Sequence, residues 1–241
     1  DIRLNSYSSD STYTIRLDSR FANGRYSGSA PVTTFVKDLR DITLKKELPA
    51  LFTDSTYVWN GNSYGLDFRF NNTMDLLSFV MPGLYIDEGT QLSARLDKDG
   101  NFSGSLKSDR LAFRKDYFKG LEADFSNKGN ALDGSLECSE LKLASLSMKD
   151  SHLNVYGDDN LIGASMVYDN QSELTNAGEI IMHGNLKRDT EGLGIGMNFL
   201  PSSIFINSKE WDFEPSEIFY KNHSLDVKTF AIVSGGERIS I

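Results

Sequence analysis

Only one cysteine, Cys138, stands among the 241 residues, so no disulfide forms within the chain and the fold rests on burial and sheet hydrogen bonding. Cys138 is in phase with Leu132, Gly134 and Leu136, which marks it as a small buried hydrophobe rather than a reactive thiol. Long apolar runs are missing as well. None approaches the roughly 20 residues that span a bilayer, and no charged stretch followed by an apolar one opens the chain as a signal peptide would. Positive charge is also short. The formal net charge is -9, which argues against nucleic acid as a partner, because phosphate binding relies on Lys and Arg. It argues likewise against docking on an anionic membrane surface. Histidine is too sparse and scattered for a metal site: His152, His183 and His223 share no ligand spacing.

Other chemical motifs fail on inspection. Asp97-Lys98-Asp99-Gly100-Asn101 has its glycine too early for a calcium loop and lacks a closing Glu, so it predicts a hairpin turn. Gly192-Leu193-Gly194-Ile195-Gly196 does not open a helix after a strand, so it predicts glycines at a strand bend rather than a phosphate loop. Asn71, Asn101, Asn170 and Asn222 begin N-x-S/T triplets at turns, where such residues are common anyway. No stretch carries catalytic chemistry, no cofactor is implied, and an enzyme is the least supported class.

What is present is alternation. Apolar residues make up 39% and charged residues 24%, a folded chain rather than a disordered one. The 204–241 stretch sets the pattern: Ile204 and Ile206, a turn, Trp211 and Phe213, the Pro215-Ser216 break, Ile218 and Tyr220, then Leu225, Val227, Phe230 and Ile232. Period-two runs between short polar turns predict an antiparallel meander with one apolar and one wet face. Trp211, in phase with Phe213, is expected to be an inward anchor.

Earlier in the chain, strands are expected at 2–7, 13–21 and 25–32, with Asn23-Gly24 as the hairpin turn between the last two. Residues 35–52 change to helical spacing, with Thr33 or Thr34 as cap and Pro49 as stop. A strand follows at 64–70, a short helix at 74–80 stopped by Pro82-Gly83, and strands at 84–86 and 91–96. From 91 onward the alternation is monotonous, with turn signals every eight to twelve residues, among them Lys128-Gly129-Asn130 and Gly157-Asp158-Asp159-Asn160. The expected organisation is residues 1–90 as strands with two short helices and residues 91–241 as a continuous meander. The chain opens mid-pattern at Asp1 and ends on strand-like Ile241, as an excised piece of something longer would.

A one-sided sheet must hide its apolar face. It does so as a sandwich, as a closed barrel, or by curling so that the face lines a groove, and alternation alone does not choose.

The ending narrows the choice. Trp211-Asp212-Phe213, Pro215, Ile218, Leu225-Asp226-Val227, Phe230-Ala231-Ile232 and Glu237-Arg238-Ile239-Ser240-Ile241 resemble the repeated unit of TamB-type, AsmA-like proteins of Gram-negative bacteria. Leu48-Pro49-Ala50-Leu51-Phe52 at a helix end and Leu84-Tyr85-Ile86-Asp87-Glu88-Gly89 leading to Leu92-Ser93-Ala94 are similar to them too. The likeness runs from about Phe21 to the end. It implies an all-β, elongated, curled sheet (a β-taco or half-pipe) that crosses the periplasm and carries phospholipid acyl chains between inner and outer membrane. It also implies an inner-membrane anchor and membrane contact outside these residues, and an outer-membrane β-barrel assembly partner. On that reading the groove is lined by Leu92, Leu96, Leu106, Leu136, Leu143, Met148, Val155, Met166, Ile181, Leu186, Ile195, Met197, Ile206, Phe213, Val227 and Ile232. Two other readings stand beside it: a chaperone-like scaffold that pairs its sheet edges with client strands, and a β-sandwich that binds carbohydrate.

Overall fold

The computed structural model describes residues 2–9, 11–54, 56, 58–127, 131–143, 146–169, 171, 173 and 175–240. The Lys128-Gly129-Asn130 turn lies outside them, as do Asn170 and Ser172 of one triplet, Asp1, Tyr57 and Ile241. Among the described residues nineteen strands form one antiparallel sheet, open and curled rather than closed into a barrel. The first nine are β1 (Ile2–Ser9), β2 (Thr12–Ser19), β3 (Ala22–Gly28), β4 (Tyr64–Phe70), β5 (Leu84–Ile86), β6 (Gln91–Leu96), β7 (Phe102–Phe113), β8 (Asp116–Ser126) and β9 (Leu132–Leu143). The rest are β10 (Leu146–Asp158), β11 (Leu161–Asp169), β12 (Ala177–Asp189), β13 (Gly192–Phe199), β14 (Ser203–Ile206), β15 (Lys209–Phe213), β16 (Ser216–Lys221), β17 (Ser224–Val227), β18 (Ala231–Ser234) and β19 (Glu237–Ser240). Helix α1 (Val32–Arg40) and helix α2 (Met74–Val80) interrupt the first third.

Neighbouring strands pair in order from β1 to β4, then β4 with β6, and in order again to β12, with short β5 laid on the far end of β7. The sheet therefore runs through residue 90 without a break. At β12 it forks. One end of β12 pairs β13, which continues to β16 and β17. The other end pairs β14, which continues to β15, β18 and β19.

Register sets which side chains share a face, because direct partners in an antiparallel ladder lie on the same side. One row reads Leu17, Gly24, Phe68, Leu92, Leu106, Ala123, Leu136, Leu153, Met166, Ile180. The adjacent residues give a polar row on the opposite face: Arg16, Arg25, Asp67, Ser93, Ser105, Asp124, Ser135, Asn154, Ser165. The Asn23-Gly24 turn is not where sequence placed it. Both residues lie inside β3, and the β2–β3 connection is at Arg20-Phe21, where the Ser19 Oγ accepts from the Phe21 and Ala22 amides. Gly24 is needed in the strand because the Phe68 ring lies 2.6 Å from where a Cβ would sit.

A crease crosses four strands. Pairing skips Asp109 opposite Gly120, Gly120 opposite Ser139, and Ser139 opposite Asp150. Gly120 and Asp150 have positive φ, 55° and 44°. At the crease inward positions fall three residues apart instead of two: Ser108 and Leu111, Leu121 and Phe118, Cys138 and Leu141, Ser151 and Met148. The slip keeps apolar side chains on one face beyond the bend. There Cys138, Leu141 and Met148 form a buried cluster with Phe118, Leu136, Met166 and Tyr168 against it. The single cysteine is thus a core residue, and burial pushes its thiol pKa up.

The 32–51 segment lies on the apolar face. It is helical, but not one regular helix: α1 passes into a π-helical turn, Asp41–Lys45, and after Leu48 into a 3-10 turn, Pro49–Leu51. Pro31, not a threonine, stands at the N-cap, with no side-chain capping bond. Phe35 and Ile42 join Tyr26, Tyr64, Ala94, Leu96 and Phe102 in the largest buried cluster. Asp38, buried beside them, accepts from Tyr64 Oη at 2.5 Å and Asn62 Nδ2 at 2.7 Å. Long-range bonds hold the far end. The Ala50 amide donates to Asn160 Oδ1 at 2.7 Å, the Asn160 amide to the Glu47 carbonyl at 2.9 Å, and Arg188 to the carbonyls of Ala50 and Leu51. The segment is a strap from β3–β6 to the β10–β12 region.

Two outcomes follow. Tyr64→Phe leaves the buried Asp38 carboxylate one donor short and lowers stability by about 1–3 kcal/mol in urea unfolding. Burial, then the charge of Asp38, pushes the Tyr26 pKa up to about 12, and burial, then the bond to Asp38, raises Tyr64 as well. The native state thus favours neutral phenols. Their stabilisation is complete below pH ~10 and is lost as pH rises through about 12, so alkaline unfolding followed by circular dichroism begins above pH ~10. Gly120→Ala, forced into positive φ with its Cβ 2.8 Å from Ser139 Oγ, costs about 1–2 kcal/mol in the same urea assay.

Candidate functional site: an apolar trough under a helical strap

The apolar face is only partly filled. Next to the strap lies an open cavity of about 340 Å³. Leu44 and Leu48 of the strap form one wall, and Phe125, Val155, Ile162, Ala164, Met182 and Met197 of the sheet form the other. Its size falls in the range of small-molecule sites, roughly 300–1,000 Å³. Almost no polar surface faces it. Of the four glycines that line it, Gly134, Gly157 and Gly184 are in phase with the apolar face, and Gly163 is not. A Cβ on Gly134 would lie 2.7 Å from the Phe125 ring, and one on Gly157 would lie 3.2 Å from Leu48, so these glycines let neighbouring side chains lie flat against the sheet.

The π-helical turn positions the strap's contribution. It follows α1 without a break and carries Ile42, buried against the first cluster, and Leu44, exposed toward the cavity. One helical turn later, Leu48 is buried over Gly157. The strap thus closes the trough on one side and lines what remains open.

The residues expected in the groove divide into distinct fates. Leu92, Leu106, Leu136 and Met166 lie half-buried on the long apolar row. Val155 and Met197 line the cavity. Ile195 pairs Leu186 on the same face, and Val227 pairs Ile218 one strand further on. Leu96, Met148 and Phe213 are consumed in packing: Leu96 in the cluster under α1, Met148 beyond the crease, Phe213 in a third cluster with Ile204 and Trp211. Leu186 is buried too, and Ile232 packs against the third cluster. Phe213 also stacks on Phe199, with Phe230 edge-on to both. Leu143 and Ile206 are exposed at strand ends.

Ile181 is misplaced. It pairs Ser165, while Ile180 pairs Met166 and Met182 pairs Ala164, so Ile181 belongs to the polar face. The neighbours Ile180-Ile181-Met182 are all apolar, but only 180 and 182 are in phase with Leu186. That phase was legible in the sequence and would have selected Met182. Leu44 and Leu48 carried no comparable signal, because nothing local says that their helix lies on a sheet formed a hundred residues later.

The opposite face is charged and cross-linked by ion pairs. Arg95 meets Asp67 at 2.9 Å, Lys119 meets Glu140 at 2.6 Å, and Lys221 meets Asp189 at 2.7 Å and Glu191 at 2.9 Å. Bonds from Lys119 and Tyr117 hold the Glu140 carboxyl below its ordinary pKa. A recess of about 910 Å³ on this face mixes Arg3, Arg16, Arg25, Arg69 and Lys107 with Asp18, Asp67, Glu122 and Asp124. Mixed charge of this kind gives no anion site. Among the described residues no three His, Cys, Asp or Glu side chains converge as metal ligands, and no helix is long and apolar enough to cross a membrane. Comparison with known proteins adds no relative: no family model, curated protein or solved structure matches the chain.

Proposed function

We propose that the protein is a non-enzymatic conduit segment whose apolar trough holds phospholipid acyl chains. The observation that carries this reading is the apolar row from Leu17 to Ile180, unbroken across ten strands, beside a cavity with apolar walls. Acyl chains need no directional contacts, and each buried methylene contributes about 0.8 kcal/mol. Equivalent apolar positions on successive strands let a chain slide without meeting a deep trap. The polar opposite face keeps the outside wet. Together with the TamB-type resemblance, this supports a periplasmic segment of a bridge between inner and outer membranes, anchored in the inner membrane through a segment beyond these residues and engaging an outer-membrane β-barrel partner.

A second reading has one observation in its favour. All eight residues of β1 are exposed, and β1 pairs only with β2 among the described residues. A long free edge of this kind is a template for strand addition, which suits a scaffold for client outer-membrane proteins.

The two faces of β12 give the test. A photo-crosslinking residue in place of Met182 or Met166 captures phospholipid in cells, whereas one in place of Ile181 does not. Equal capture at all three sinks the trough, and protein adducts along β1 without lipid at 182 favour the scaffold. Ala164→Phe fills the cavity; uptake of a fluorescent fatty acid then falls about tenfold, with the fold checked by circular dichroism.

A further inference from the structure

Helix α2 buries none of its residues. Its sequence, Met-Asp-Leu-Leu-Ser-Phe-Val, is nonetheless mainly apolar, and Phe79 is 88% exposed, Val80 64%, Met74 62% and Met81 49%. A contiguous exposed apolar patch of this kind marks an interaction site. The β7–β8 hairpin lies against it. The Arg114 amide donates to the Gly83 carbonyl at 2.6 Å, Leu84 pairs Phe113, and Phe113 is itself 45% exposed. The hairpin turn is Arg114-Lys115, both exposed, with Arg114 at positive φ. Arg20 stands on the other flank, 3.7 Å from Asp75 of α2.

We propose that this tip docks on the surface of an anionic phospholipid bilayer. Phe79, Val80 and Met81 enter the acyl boundary, and Arg114 and Lys115 reach the phosphates, their stems lying along the apolar patch. Charge decides for lipid over a neutral apolar partner. In a chain of net charge -9, the turn beside the exposed apolar side chains is doubly basic. The acidic groups near it are Asp75, which meets Arg20, and Asp116, across the hairpin from Phe113. Phe113 is two residues along β7 from Leu111, whose row Ile86, Leu111, Phe118, Leu141, Met148 is apolar. The tip therefore continues the trough's own face to its end. The inference extends the conduit reading but does not require it, because docking and trough occupancy are read separately.

The test is co-sedimentation of the full chain with vesicles of equal phosphatidylcholine and phosphatidylglycerol. Phe79→Asp with Met81→Asp reduces the bound fraction about tenfold, Arg114→Glu with Lys115→Glu reduces it severalfold and removes its salt dependence, and Phe79→Leu retains it. Ala164→Phe, which blocks the trough, leaves vesicle binding unchanged, so a failure of the conduit reading is distinguishable from a failure of this one. Because α2 buries nothing, the aspartate variants keep the native circular dichroism. Absence of vesicle binding, binding that survives both double variants, or self-association in sedimentation velocity that the aspartate variants abolish overturns the proposal; the last assigns the patch to a second copy of the chain.

Discussion

Everything in this molecule depends on one constraint: in an antiparallel sheet, a side chain's face is inherited from its cross-strand partner. Once Phe68 faces inward, Leu92, Leu106, Ala123, Leu136, Leu153, Met166 and Ile180 face inward with it, through seven successive ladders. A one-residue slip anywhere would turn every later strand inside out. Each inward Leu or Ile contributes roughly 1.5–3 kcal/mol when buried, so the register is defended by the sum of the rows rather than by any one residue. The free energy favours hiding the face, yet the sheet neither closes nor doubles over. Part of the face is hidden in three local clusters, part beneath the strap, and the remainder lines the cavity.

The crease shows how such a sheet bends without losing its sidedness. A bend that only curved the strands would leave alternation intact. Here the backbone slips at Asp109, Gly120, Ser139 and Asp150, one position in each of four adjacent strands. Inward positions are then three residues apart, and Leu111, Phe118, Leu141 and Met148 stay on the apolar side. Local irregularities that align across strands act as one structural device, much as bulges do singly. Glycine serves at Gly120 because its φ of 55° is strained for any other residue and Ser139 crowds it.

Local features were legible in the sequence where local chemistry decided them. The strand 64–70, helix 74–80 and strands 84–86 and 91–96 have the expected limits, because alternation and the Pro82-Gly83 stop after the helix are short-range signals. Turns that demand positive φ also fell as expected, at Asp159-Asn160 and Asn222-His223. The failures share a cause. Asn23-Gly24 carries hairpin chemistry, but the ring of Phe68, forty-four residues on, needs the glycine inside a strand. The phase change between Cys138 and Leu141 breaks the monotonous alternation expected from 91 onward, because the slip at Ser139 is set by its partners Gly120 and Asp150 in neighbouring strands. The strap's far end, held by Asn160 and Arg188, has no local signature at all.

The strap also bears on what the trough can do. Gly134, Gly157 and Gly184 leave no room for larger residues: a Cβ would lie 2.7 Å from the Phe125 ring, 3.2 Å from Leu48 and 2.2 Å from the Gly196 carbonyl oxygen. The floor is thin there, while Leu44 stays exposed above it. The volume beside the strap thus stays open between two apolar walls. Those walls differ in character: the sheet wall is held by continuous ladders, whereas the strap wall is held by the packing of Phe35, Ile42 and Leu48 and by hydrogen bonds to Asn160 and Arg188.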